Sequence, residues 1–453
     1  MGLDFQVKDF LYPFSIIKLK KEFDKNQWLN QNQLHNYQLQ RLKIILNHAY
    51  ENIPYYQKIF RDKGIYPQDI KKAEDLKLIP PLTKEILIKE FDNLKAKDFK
   101  KYKPTLQKTS GTTGGQVRFY TDKSSNILEF VYYWRFWGWA GYRLGDRFAE
   151  LSAQFFTPYK KNTERICHFN YFTQRLMVNS LLISIKNLDK YITIFKKYRP
   201  IFLKGLPSNL YVLALIFNER KNHGIAFKAI FSQGENLLYS QRTLIEKVFS
   251  CKVFDSYGLM ERVAAISECA KGSYHIHPDY SLIEFERLKF NPADGFDKDE
   301  YIAEVIGTSL HNFSMPLIRY RTGDYVKIKE NNPLCSCSKT FPIVQGIVGR
   351  ESDVIVTPDK RYITALYVVL DRTKDITFGQ IIQEKIDTIL VKIVCLPEKF
   401  ESIKKNLITN IRDFVGTDMK IKVVSVTKDE IKANTLGKFK SIISNISYKE
   451  NLN

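Results

Sequence analysis

What this chain of 453 residues lacks narrows its class before any motif is read. It has no long hydrophobic run. The most apolar stretch, residues 127–141, is interrupted by Glu129 and Arg135 and falls short of the roughly 20 residues that a membrane span needs, so no stable membrane insertion is expected. Cysteine is scarce, with six residues unevenly spaced, which argues for a reducing compartment and against a disulfide framework. Residues 1–21 carry Asp4 and Asp9 and no basic segment leading into an apolar run, and Gln6 misses the myristoylation pattern. No signal peptide is expected, and the expected location is the cytoplasm. Acidic residues are outnumbered, 49 against 70 basic ones, for a net charge of +21 spread along the chain. No RNA- or DNA-binding signature accompanies that charge, so no nucleic-acid partner is expected. The surplus reads either as plain compositional bias or as attraction for polyanions such as ATP, CoA or nucleotide-linked glycans.

What is present is ample core material. Hydrophobic content of 44% and aromatic content of 13% exclude disorder, and the length suggests two or more domains. One stretch stands out: Thr109-Ser110-Gly111-Thr112-Thr113-Gly114-Gly115. Hydroxyls and backbone N–H groups on a chain free to visit positive φ can wrap an anion. Residues 116–121 behind it read as a strand, which is not the phosphate loop that ends in Lys and opens a helix. A flexible Ser/Gly turn is the plain alternative.

That loop resembles the phosphate loop of the AMP-producing, adenylate-forming ligase superfamily. The resemblance extends from about Leu39 to about Ile446. It is best with the branch of phenylacetate–CoA ligases and CapK-type capsular polysaccharide proteins, whose N-terminal region is similar to the stretches around Asn52-Ile53-Pro54-Tyr55-Tyr56 and Pro81-Leu82-Thr83-Lys84. It implies an α/β fold with a large N-terminal adenylation domain, residues 1–348, and a small mobile α+β lid, residues 349–453. Thr109, Ser110, Gly111, Thr112, Thr113 and Gly114 would then hold phosphate.

The pattern from residue 192 alternates helix and strand, with one helix from about Pro207 to Asn222, and predicts a parallel sheet with helices on both faces. Ligands of such sheets sit beyond the carboxyl ends of the strands. Two segments read as loops there: Ser232-Gln233-Gly234-Glu235 after a strand at 229–231, and Asp255-Ser256-Tyr257-Gly258-Leu259-Met260-Glu261 after one at 252–254. Each alone is an ordinary strand-end turn. By the resemblance, Gly234, Glu235, Tyr257 and Gly258 flank the adenine and Glu261 holds Mg²⁺ on the triphosphate, a hard cation suited to carboxylate oxygen. Arg319-Tyr320-Arg321-Thr322-Gly323-Asp324 is similar to the superfamily's ribose segment, with Asp324 on the ribose and otherwise an unremarkable exposed turn. Gly349-Arg350 is similar to the segment before the lid hinge, although Ser352 stands where the hinge acid normally falls. Lys438, after Gly437, matches the catalytic lysine, with Lys440 as the fallback.

Two features keep alternative readings. The aromatic stretch 131–139, with Trp134, Trp137 and Trp139, is either a core helix or the lining of an acyl pocket. Cys269, His275, Cys335 and Cys337 form Cys-x5-His and, about sixty residues later, Cys-x-Cys. They are a natural tetrahedral zinc set, or else three buried thiols and a hydrogen-bonded histidine, with His277 able to replace His275. CapK-like relatives resemble the zinc pattern.

The resemblance implies an enzyme that activates a carboxylic acid with Mg-ATP and passes the acyl group to CoA or to an amine or hydroxyl acceptor, as a monomer or homodimer. Surface polysaccharide synthesis, aryl-acid metabolism and a non-catalytic nucleotide-binding scaffold are its three contexts.

Overall fold

Apolar spacing turns into elements through identifiable local signals, and a computed structural model fixes how they pair. The structure describes residues 13–108, 117–153, 155–156, 165–220, 223–288, 299–330, 334–350, 355–358, 362–363, 366, 369–370, 373–431 and 440–446. The helix Gln31–Asn52 begins with a capping box, in which Asn30 accepts from the Gln33 N–H at 2.9 Å and Gln33 accepts from the Asn30 N–H at 3.0 Å. Pro54 then opens the next helix, Pro54–Lys63, where its missing N–H costs nothing. Leu42, Ile45, Leu46, Tyr56 and Phe60 from these two helices are buried against Leu317, Ile318 and Tyr320.

The centre of the protein is a nine-stranded sheet. In space the order is Ile343–Val344, Tyr274–Ile276, Ala265–Glu268, Lys252–Gly258, Ala229–Gln233, Phe202–Gly205, Phe148–Ser152, Arg175–Asn179 and Cys167–Asn170. The five strands from Lys252–Gly258 to Arg175–Asn179 are parallel, with antiparallel strands on both edges. Side-chain alternation assigns the faces. Ala149, Leu203, Ile230 and Val253 pack on the helices Leu188–Tyr198, Pro207–Asn218 and Tyr239–Phe249. Phe148, Phe202, Phe231 and Phe254 pack on the helix Lys123–Trp139.

That helix decides the aromatic stretch largely in favour of core. Trp134, Phe136 and Trp137 are buried, and Trp137 meets Phe148 at 4.8 Å between ring centres. Each such ring contributes roughly 1.5–3 kcal/mol over an exposed one. Its charged residues are buried too. Arg135 grips Asp279 through both terminal nitrogens, at 2.6 and 2.9 Å, and donates to the Phe23 carbonyl at 2.8 Å, which docks the helix Pro13–Asn26.

A second, antiparallel sheet contains Ser281–Arg287, Glu300–Ser309, Tyr320–Lys329 and Gly346–Arg350. The C-terminal part forms its own sheet, Lys420–Ser425, Thr388–Val394, Phe378–Lys385 and Ile442–Ser444. The helix Phe400–Val415 covers it through Ile403, Leu407 and Ile411.

Three sequence expectations change. Ser232, Gln233 and residues 255–258 belong to strands, not loops, because pairing of Ser232 with Asp255 and Gln233 with Ser256 extends the ladder. The helix from Pro207 ends at Asn218, short of the expected Asn222. Asp324 lies inside the strand Tyr320–Lys329 and is buried, not exposed in a turn.

Where the helix Tyr239–Phe249 meets the nine-stranded sheet lies a buried polar knot. Ser232 and Tyr274 both donate to Asp255, and Arg242 pairs with Glu268 at 2.7 Å. Burial pushes the Asp255 carboxyl up to about 6, against the opposing pull of the Ser232 hydrogen bond. A carboxyl raised on folding gives stability that is full below its ordinary value near 4 and lost as pH rises through the folded value. Thermal unfolding of the parent should therefore lose stability between about pH 4 and about pH 6 through this group. Asp255→Asn should flatten that segment of the profile. A second expectation concerns Gly307. A Cβ there would stand 2.3 Å from the Val263 carbonyl oxygen, so Gly307→Ala should cost about 1–3 kcal/mol of stability by overpacking, measured by denaturant unfolding.

Candidate active site and metal cluster

The strands Ala229–Gln233 and Lys252–Gly258 end side by side, and their ends carry the candidate residues. Gly234 takes φ 84°, and Glu235 behind it accepts from the Ser208 N–H at 3.0 Å. Its carboxylate thus sits at the N-terminus of the helix Pro207–Asn218, where negative charge is favoured. Tyr257 is half-buried, and its hydroxyl donates to Asp324 Oδ2 at 2.8 Å. Gly323, at φ 67°, kinks the strand just before Asp324, and the Asp324 N–H donates to Thr322 Oγ1 at 3.0 Å. Only glycine takes that φ without cost, and the local irregularity aims the carboxylate at Tyr257.

Asp324 pairs in register with Arg350 on the neighbouring strand. Glu261 is buried in the turn that follows Gly258. Arg262 next to it is held at φ 61°, and its guanidinium meets Glu129 at 2.5 Å. Glu129 also accepts from Tyr280, so the core helix fixes the turn that carries Glu261. Gly258 is exposed at the mouth of this arrangement, next to the Tyr133 hydroxyl.

Several expected residues lie outside the described residues: Thr109, Ser110, Gly111, Thr112, Thr113, Gly114 and Lys438, as well as the Arg350 side chain. The two strands flanking the Gly/Ser/Thr segment, Thr105–Lys108 and Arg118–Thr121, are described and pair antiparallel in register. Lys440 accepts at its carbonyl from Gln380 at 2.9 Å, just ahead of the strand Ile442–Ser444.

The second constellation assembles as a cluster. One ligand atom from each of Cys269, His275, Cys335 and Cys337 lies within 4.8 Å of all the others. Cys269 Sγ is 3.6 Å from Cys335 Sγ, and Cys337 Sγ is 3.3 Å from His275 Nε2. Sulfurs bound at about 2.3 Å to one tetrahedral ion stand about 3.8 Å apart, so the spacing suits zinc. His275 Nδ1 is 2.9 Å from the Phe341 carbonyl, an acceptor for its N–H, and that leaves Nε2 for a metal. Backbone N–H groups of Lys271 and Cys337 point at Cys269 and Cys335, and both thiols are shifted below their ordinary range despite burial. His277 does not replace His275. Arg135 donates to its Nδ1 at 2.6 Å, and burial together with that cation holds it well below the usual imidazole range.

Sequence reasoning missed the Glu129–Arg262–Tyr280 clamp and a sealed Glu150–Lys204 ion pair at 3.3 Å. A lysine flanked by Leu203 and Gly205 in a short apolar strand is the one signal that pointed to the pair.

Residues 355–445 match the CapK C-terminal domain family. The chain is 26% identical to Protein CapK of Staphylococcus aureus over 421 residues, covering 92% of this chain and 90% of that protein. It is 25% identical to the phenylacetate–coenzyme A ligase of Aromatoleum evansii over 438 residues, covering 91% and 95%. Its fold is similar to that of a 2-hydroxyisobutyryl-CoA ligase solved in the postadenylation state with 2-HIB-AMP. That likeness has a TM-score of 0.70 at 18% identity and covers 93% and 91% of the two chains. Residues 355–445 thus fall in the CapK C-terminal domain family, and over about nine tenths of its length the chain is similar to CapK and to a phenylacetate–coenzyme A ligase.

Proposed function

We propose that this protein is an AMP-forming carboxylate ligase, which activates an acid with Mg-ATP and passes the acyl group to CoA or to an amine or hydroxyl acceptor. The observation that carries the reading is the Tyr257–Asp324 hydrogen bond, which joins the carboxyl end of the parallel sheet to the second sheet. Tyr257 offers a ring face to adenine, and the buried Asp324 offers acceptors to both ribose hydroxyls. Gly234, Glu235 and Gly258 border the base, Arg350 stands one strand from Asp324, and Thr109–Gly114 takes the phosphates. Glu261 would hold Mg²⁺, which offsets charge on the triphosphate.

In the first step the acid's carboxylate oxygen bonds to the α-phosphorus and the bond to pyrophosphate breaks. Lys438, on a lid of residues 349–453, would stabilise charge developing at the α-phosphate. In the second step the acceptor takes the acyl group and AMP leaves. The relatedness to CapK supports a place in surface polysaccharide synthesis, with aryl-acid activation as the alternative.

Pyrophosphate release with Mg-ATP across a carboxylate panel, with and without CoA, tests the reading. Release with at least one acid is expected. Tight ATP binding with no release from any acid would favour a nucleotide-binding scaffold. Lys438→Ala should keep ATP affinity and slow release by roughly 10²–10³-fold, whereas Lys440→Ala should do far less. Larger damage from Lys440→Ala would reassign the lysine.

Cys269, His275, Cys335 and Cys337 would hold a structural zinc that ties residues 269–275 to residues 335–337. Elemental analysis of untagged protein should find about one zinc per chain. Cys337→Ser, or chelation, should lower the unfolding temperature more than the rate of pyrophosphate release measured in the cold, because a closed site contributes folding energy.

A further inference from the structure

The site leaves one buried pair of charges without a task. Glu150 and Lys204 face each other in register on neighbouring parallel strands, on the sheet face covered by the helix Lys123–Trp139. Their side chains are 9% and 3% exposed, and Nζ lies 3.3 Å from Glu150 Oε1. Phe202 and Phe231 share that face, so apolar residues would fit there. Replacing such a sealed pair by apolar side chains is commonly neutral or stabilising, so stability does not explain its presence.

Among the described residues two donors here are poorly satisfied: Trp137 Nε1 makes no hydrogen bond, and Lys204 Nζ has the Glu150 contact at 3.3 Å without a well-aligned hydrogen bond. Nζ is 5.9 Å from the ring centres of both Trp137 and Tyr133. Buried polar atoms left poorly satisfied are rare, and two side by side point to an oxygen atom that the described residues do not supply. Burial pulls the Lys204 ammonium down from its ordinary range while Glu150 pulls it up.

The place fits a substrate tail. It lies toward the carboxyl ends of the parallel strands, where ligands of such sheets bind. Tyr133, one helical turn before Trp137, stacks on it at 5.7 Å between ring centres. The Tyr133 hydroxyl stands 3.9 Å from where a Cβ on Gly258 would be. Tyr133 therefore bridges from the Tyr257–Gly258 segment to Lys204.

Building on the ligase reading, we propose that the acid activated here is a hydroxy acid, whose tail hydroxyl sits between Lys204, Trp137 and Glu150. A hydroxyl matches this group because its oxygen can accept from Lys204 Nζ and Trp137 Nε1 while its O–H donates to the Glu150 carboxylate. A second carboxylate would meet the Glu150 charge. An ammonium would meet Lys204 and Arg175, whose guanidinium lies over the Trp137 ring at 4.9 Å. An alkyl or phenyl tail would offer the Trp137 N–H no acceptor and Lys204 nothing beyond Glu150.

The test compares kcat/KM for pyrophosphate release with ω-hydroxy acids, their deoxy counterparts of equal chain length, and phenylacetate. The parent should prefer the hydroxy acid by about 100-fold or more at one chain length, since a site built to bond a hydroxyl rejects the analogue without it. Lys204→Met should cut that preference to about tenfold or less. Should Lys204→Met not fold, Trp137→Phe, which removes the indole N–H, should lower the same ratio. The double variant Lys204→Met/Glu150→Leu should unfold at or above the parent's temperature. Best activity with a deoxy acid or phenylacetate, or a preference untouched by these substitutions, overturns the assignment while leaving the ligase reading intact. A marked loss of stability in the double variant also overturns it, by making the pair structural. No release with any acid overturns the ligase reading and this assignment with it.

Discussion

Everything at the candidate site depends on how closely one turn can approach the second sheet. The chain leaves the parallel strand Lys252–Gly258, turns through Glu261 and Arg262, and lays the Val263 backbone on Gly307. That contact has no room for a side chain. It sets the distance at which Tyr257 reaches Asp324, because both contacts join the same two sheets. The turn is held from its other side by Glu129, which takes Arg262 and Tyr280 at once. The strained φ of Arg262 costs about 1–3 kcal/mol and persists because the ion pair and the Gly307 contact over-determine it. The turn that carries Glu261 is therefore held by the fold itself, as electrostatic preorganisation would require if Glu261 holds a cation.

Buried charge on the helix Lys123–Trp139 is the other organising device. Glu129 and Arg135 interrupt its apolar run and read as breaks in a hydrophobic segment, yet both are buried. Each is compensated by residues distant in sequence: Asp279 and the Phe23 carbonyl for Arg135, and Arg262 and Tyr280 for Glu129. Breaking one partner of such a pair is costly, whereas the pair itself adds little. These contacts specify where the helix sits more than they stabilise it, and so they fix the register between the core and the site.

Much of this was legible in the sequence, for physical reasons that can be named. The βα alternation from Leu188 to Gly258 was readable because each strand shows β-branched and aromatic residues and each helix an apolar stripe. The Cys/His set was readable because thiols and imidazoles at short spacing have few other uses. Strand ends were read too short at Gln233 and Gly258, since polar residues there pair with a neighbouring strand that local pattern cannot reveal. Asp324 read as an exposed turn because Thr-Gly-Asp is turn chemistry. Its burial comes from Tyr257, 67 residues away in sequence.

His275 and His277 show how little of a site's identity lies in residue type. They stand two apart, are equally buried, and read as interchangeable ligands. Their partners separate them. His275 has a carbonyl acceptor at Nδ1 and a thiol at Nε2, so it can lend a lone pair to a cation while staying neutral. His277 already spends its Nδ1 lone pair on the Arg135 guanidinium and lies against the Trp139 ring. With Nδ1 accepting from Arg135, the neutral ring carries its proton on Nε2, so a metal at His277 would have to displace either the guanidinium or that proton. The arginine that docks the first helix thus also decides which histidine joins the thiol cluster.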